Sequence, residues 1–270
     1  MPQEIVLIII GFLAGILSGM FGIGGGVVIV PALIGILAYT FVQGTSTSLA
    51  ALLLPVSIFA VISYYRKGFV SVQTALLICF GLFLGSFFGA SIALGLDKVT
   101  LQRFYGVFLL YVFWRFTEPI KWYNEIRSRG KTGDKPKEPE VIPELQVAWY
   151  FILVIGLIAG VMSGMFGIGG GLVIVPALVT LLKFDQKRAV GTSLAALLLP
   201  AALPAVFAYY QAGELNILAA FFVGLGIVFG AFAGAKIALG LPSPTIKRMY
   251  GIFLLLIAFR FMFPELFIPR

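Results

Sequence analysis

The sequence predicts an all-α polytopic membrane protein made of two inverted repeats, related by a pseudo-two-fold axis. Each repeat has about five helical segments, a short broken pair plus three spans. Three observations predict it. The 270 residues are 60% hydrophobic and only 11% charged, with a mean hydropathy of +1.07, whereas a soluble domain runs about 45–50% apolar and about 25% charged. The apolar runs approach or exceed the ~20 residues that a hydrocarbon core requires. The second half then replays the first at a constant offset. Gly19 matches Gly164, Pro31 matches Pro176, Pro55 matches Pro200, and Tyr64-Tyr65 match Tyr209-Tyr210. Ser18 to Gly26 is identical to Ser163 to Gly171, and Thr47 to Pro55 to Thr192 to Pro200. A gapless duplication of this kind makes one symmetric body, not two independent domains.

Residues 5–40 form one apolar stretch interrupted at Gly22-Ile-Gly-Gly-Gly26. A straight helix of that length would reach roughly 54 Å, against a hydrocarbon core of about 30 Å. The chain must therefore break into pieces at 5–21 and 27–40. Gly44 to Leu49 is small and polar and reads as a helix start with hydroxyl caps. The helix from there to about 65 carries Pro55, a kink that membranes tolerate when neighbours re-satisfy the freed carbonyl. Further helices are expected at about 72–95 and 101–116. Residues 1–116 thus make the first transmembrane repeat and 147–270 the second. Between them, 117–146 is hydrophilic, rich in Lys, Glu and Pro, and reads as a flexible linker.

The basic residues vote on orientation. If the broken stretch goes in and comes back, one face carries Arg66, Lys67, the linker, Lys183, Lys187, Arg188, Lys247 and Arg248. The other face keeps Lys98, Arg103, Arg260 and Arg270. Lys and Arg mark the cytoplasmic side, which predicts inverted repeats, a cytoplasmic linker, both termini outside and a multi-pass protein of the cell (inner) membrane. The start Met1-Pro-Gln-Glu4 lacks a positive n-region, so the first apolar run is expected to stay in the mature chain.

Composition excludes several chemistries. The chain has no His and one Cys, Cys79, which argues against disulfide frameworks, zinc sites and histidine catalysis. No enzyme activity, cofactor or metal is expected. The net charge of +8 lies in loops between apolar runs and is no nucleic-acid footprint. All eleven Asp and Glu fall outside or at the ends of those runs, so the usual intramembrane proton relay is missing. The sequence sets no oligomeric state.

The breaks are the candidate site. In lipid an interrupted helix leaves backbone groups unpaired at several kcal/mol each unless protein or a water-filled cavity supplies partners. A break that occurs twice at matching positions points to a substrate site in a transporter built from repeats. After each break a helix starts, at Val27 and at Leu172, with free N–H groups and the positive end of its dipole. Gly22, Gly24, Gly25 and Gly26, with Gly167, Gly169, Gly170 and Gly171, leave no side chains between ligand and backbone. Two such N-termini facing one cavity suit a small anion, and Pro31 and Pro176 are placed in their first turns. Thr47, Ser48, Thr192 and Ser193 either bond their own backbone or contact substrate. Gly11, Gly15 and Gly19, like Gly81, Gly85 and Gly89, have the spacing of close helix packing. The Tyr pairs at 64–65 and 209–210 read as interfacial anchors, and Arg103, Arg248 and Lys236 as snorkelling cations.

The repeated Gly-Met-Phe-Gly-Ile-Gly-Gly-Gly with its Pro-Ala-Leu, followed by Thr-Ser-Leu-Ala-Ala, resembles the sulfite exporter TauE/SafE family of membrane transporters. The likeness covers the whole chain. It implies transport of small sulfur-containing anions, such as sulfite or organosulfonates, often outward. It also implies that Gly22–Gly26, Gly167–Gly171, Thr47, Ser48, Thr192 and Ser193 are the positions that matter.

Overall fold

The computed structural model describes residues 2–117 and 148–242, together with 249, 255 and 257–259. The linker, Lys247, Arg248, Arg260 and Arg270 lie outside the described residues. The described chain is helical without strands. The first half contains α1 (Gln3–Phe21), α2 (Gly26–Leu37), α3 (Phe41–Leu53), α4 (Ile58–Tyr65), α5 (Val72–Gly95) and α6 (Lys98–Thr117). The second contains α7 (Trp149–Phe166), α8 (Gly171–Thr180), α9 (Gln186–Leu198), α10 (Leu203–Gln211) and α11 (Ile217–Gly240). By length and composition α1, α5, α7 and α11 can each cross a bilayer. The pairs α3–α4 and α9–α10 are bent by 55° and 48° and add up to two more crossings. The protein is a polytopic all-α membrane protein.

The halves exchange their long helices. α1 packs along α11 of the other half, and α5 along α7. Glycine makes this possible, because only a bare Cα admits another backbone so closely. A methyl on Gly15 would sit 2.6 Å from the Ile227 carbonyl, and one on Gly81 2.5 Å from that of Leu153. Gly11, Gly15 and Gly19 meet Val223, Ile227 and Ala231 in turn, and Gly81, Gly85 and Gly89 meet Leu153, Leu157 and Val161. Residue numbers rise together in both pairs, so each pair runs parallel.

Three sequence expectations shift. α3 does not start within Gly44–Leu49; Thr40 caps it, its Oγ1 accepting from the Gln43 amide while Gln43 Oε1 accepts from the Thr40 amide, each at 3.2 Å. Thr-x-x-Gln is a capping box, and the hydroxyl-rich stretch after it is helix interior. Pro31 and Pro176 are the sixth residues of α2 and α8, beyond the first turn. Each denies a hydrogen bond to the carbonyl four residues back, at Val27 or Leu172. The tyrosine pairs split: Tyr65 and Tyr210 are exposed, but Tyr64 and Tyr209 are fully buried. They do not anchor at an interface.

Candidate functional site

Each break is a left-handed staircase. α1 ends at Gly22 (φ 73°), whose amide bonds to the Ser18 carbonyl, and Gly24 (φ 79°) and Gly25 (φ 84°) lead into α2. The second break repeats this at Gly167, Gly169 and Gly170, with φ of 71°, 74° and 84°. Side chains are strained at such angles, which explains three glycines in each motif. The staircase turns the chain back, so that Gly25 lies against Ala14 in the middle of α1, and Gly170 against Ala159 of α7.

The two breaks meet. A Cβ built on Gly24 would lie 3.5 Å from the Gly169 Cα; one on Gly26 would fall on the Gly167 carbonyl, and one on Gly171 on the Gly22 carbonyl. Residues 18–27 and 163–172 are all buried. The helices that begin here are short, 12 residues for α2 and 10 for α8, and both start at the contact between the two breaks. Neither has a side-chain cap.

Four hydroxyls reach the breaks from the bent pairs and donate to carbonyls. Ser48 Oγ donates to the Gly167 carbonyl and Ser193 Oγ to the Gly22 carbonyl, both at 2.7 Å. Each serine thus holds the break of the opposite half. Tyr64 OH donates to the Gly19 carbonyl at 3.0 Å and Tyr209 OH to that of Gly164 at 2.7 Å. Gly19 and Gly164 lie in the last turns of α1 and α7, where carbonyls lack intrahelical partners. The amides of Gly24–Val27 and Gly169–Leu172 have no acceptor among the described residues. Each break therefore has hydroxyls on its carbonyls and bare N–H groups at its helix start, where the macrodipole adds about half a positive charge.

Of the predicted residues, the structure brings together Gly22, Gly24, Gly26, Ser48, Gly167, Gly169, Gly171 and Ser193. Gly25, Gly170, Val27 and Leu172 are buried beside them. Thr192 is turned elsewhere: its Oγ1 accepts from the Ser71 amide at 3.0 Å, in the turn before α5. Thr47 is buried on the matching face of α3, its hydroxyl without a partner among the described residues. Sequence reasoning missed Tyr64 and Tyr209 as partners of the breaks. The recurrence of the Tyr-Tyr pair at matching positions of both halves was the available signal. Tyr64→Phe is expected to leave the Gly19 carbonyl buried and unpaired, costing about 1–3 kcal/mol. A melting curve of the detergent-solubilised protein checks it, and an unchanged midpoint would remove the tyrosine's bracing role.

The two ends of the bundle differ in charge. Turn 66–71, with Arg66 and Lys67, packs on the start of α9, where Lys187 Nζ donates to the Leu239 carbonyl at 3.2 Å. Arg188 stacks there on the Phe184 ring, 4.7 Å from its centroid. At the other end the turn before α11 packs on α3: Ser46 Oγ donates to the Glu214 carbonyl at 2.6 Å and Asn216 Nδ2 to Tyr39 OH at 3.0 Å. That corner carries Glu214 in place of the four cations.

Comparison with known proteins agrees with this architecture. The chain is 27% identical to the probable membrane transporter protein YunE of Bacillus subtilis, over 97% of this chain and 98% of that protein. It is 29% identical to a probable membrane transporter protein of Methanocaldococcus jannaschii, over 93% of this chain and 95% of that one. No solved structure matches the chain. The family model for the sulfite exporter TauE/SafE matches residues 7–261. The doubled glycine break, the exchanged glycine-striped helices and this near-complete match place the chain in the TauE/SafE family of membrane transporters.

Proposed function

We propose that the protein exports small sulfur-containing anions, such as sulfite or organosulfonates, across the cell (inner) membrane by alternating access around the paired breaks. The observation that carries this reading is the meeting of two uncapped helix starts whose amides are bare while nearby hydroxyls serve carbonyls. Such a centre attracts negative charge and offers N–H donors without desolvating a cation. The touching breaks are then a closed state, and an anion enters when they part.

How the ends are shared supports inverted repeats. Tyr64, at the end of α4, bonds to Gly19 near the end of α1, and the short turn from Tyr64 to Ser71 starts α5 at the same end. α5 therefore departs from the end where α1 arrives. α7, the repeat equivalent of α1, runs parallel to α5 and so opposite to α1, which supports a site that the two breaks enter from opposite faces. The basic corner at Arg66, Lys67, Lys187 and Arg188 lies on the linker's expected side, which supports a cytoplasmic entrance where cations gather anions.

The test is a counterflow screen in proteoliposomes with sulfite, thiosulfate, sulfoacetate, taurine and sulfate. Saturable, trans-stimulated uptake of at least one sulfur oxyanion is expected. No counterflow with any of them contradicts the substrate class, and non-saturating flux with conductance makes the protein a channel instead.

A further inference from the structure

We propose that Thr45 is a substrate-contacting residue, its hydroxyl donating to an oxygen of the transported oxyanion when the breaks part. The inference rests on the site assigned above and adds to it a residue that distinguishes its two halves. One face of α3, with Thr45, Ser48 and Leu52 at helical spacing, lies on the opposite break. A Cβ on Gly167 would meet Thr45 Cα at 2.8 Å, and one on Gly169 would meet Leu52 Cδ1 at 2.9 Å. The matching face of α9 carries Val190, Ser193 and Leu197. Val190 Cα lies 2.9 Å from a Cβ on Gly22, and Leu197 Cδ1 3.2 Å from one on Gly24. The two faces correspond residue for residue except that Val190 stands at the position equivalent to Thr45.

Threonine and valine have the same shape, so packing does not distinguish them. Both are buried, Thr45 at 0% and Val190 at 1% exposure. Thr45 Oγ1 has no hydrogen-bond partner among the described residues, and an unpaired buried hydroxyl is a net cost that valine avoids. A helical hydroxyl can bond back to its own helix, as Ser46 Oγ does to the Gln43 carbonyl at 3.0 Å; Thr45 does not. Position 190 demonstrates that an apolar side chain satisfies the local packing. The hydroxyl at 45 is thus a donor kept at the break for a partner outside the protein. An oxyanion fits, because a hydroxyl supplies a directional donor beside amides that are themselves donors.

The experiment is counterflow with the full chain in proteoliposomes, comparing wild type, Thr45→Val and Thr45→Ser, with the melting midpoint of each. Thr45→Val is expected to raise KM about tenfold, the worth of one hydrogen bond to a charged group, with an unchanged or higher midpoint. Thr45→Ser is expected to keep KM near wild type. If Thr45→Val transports with the wild-type KM, the proposal is overturned while the transport function stands. A fall in Vmax alone overturns it as well, because the hydroxyl then acts on the motion and not on the ligand. Should Thr45→Val fail to fold, Thr45→Ala replaces it with the same criterion on KM. Wild type that moves none of the sulfur oxyanions overturns this proposal and the transport reading together.

Discussion

Replacing Gly26 and Gly171 together with alanine is expected to lower anion flux by about thirtyfold or more. Each new methyl would fall on a carbonyl of the opposite break and within 2.7 Å of the Ile168 Cα or 2.6 Å of the Ile23 Cα. These atoms belong to backbone, so no side-chain rotation relieves the clash. Overpacking of this kind costs about 1–3 kcal/mol per site, and every 1.4 kcal/mol is roughly tenfold in population. Two sites together therefore deplete the state in which the breaks touch, and a carrier that cannot reach one of its states does not cycle. Gly95→Ala is the control, since a Cβ there meets nothing within 4 Å. Proteoliposome counterflow reads the effect, with gel filtration showing that the variant is folded. A folded double variant with wild-type flux would mean that the breaks do not close on each other during transport.

Ser48→Ala and Ser193→Ala are expected to reduce turnover by about tenfold each, and by matching amounts. Each removes the hydroxyl that donates to a buried carbonyl of the opposite break, at the same 2.7 Å distance. An orphaned buried acceptor costs about 1–3 kcal/mol, and here the cost falls on the closed state. Because the serines occupy equivalent positions, equal losses are the signature of two breaks working as a pair. Threonine in either place keeps the hydroxyl and should retain most of the rate. Wild-type turnover in both alanine variants, measured as initial counterflow rates, would strip the serine–carbonyl bonds of any part in the cycle.

Much of this architecture was legible because it is written twice. The limits of α5 at 72 and 95 could be drawn from its glycine spacing and the polar residues around it. The breaks were visible because four glycines interrupt an apolar run at matching places. What escaped were bonds between distant segments. Nothing local says that Tyr64 is buried and Tyr65 exposed, since that depends on where the end of α1 lies when α4 packs beside it. Nothing local tells Thr47 from Ser48 either. Adjacent helical positions face about 100° apart, and only the packing of α3 on the opposite break selects Ser48 and Thr45 for it. The start of α3 was misplaced for another reason. Hydroxyls favour helix caps in soluble chains, but in a buried helix the small residues from Gly44 to Ser48 let other backbones approach closely.

The central claim is that bare amides at the two breaks hold the anion. Hydrogen–deuterium exchange of peptides covering residues 22–27 and 167–172, with and without a transported sulfur oxyanion, tests it most directly. Slower exchange in both peptides on adding the anion, and no comparable change in the turn at 66–70, whose residues 66–68 are exposed, is the predicted result. Anion-dependent protection confined to other segments, with both breaks unaffected, would contradict it.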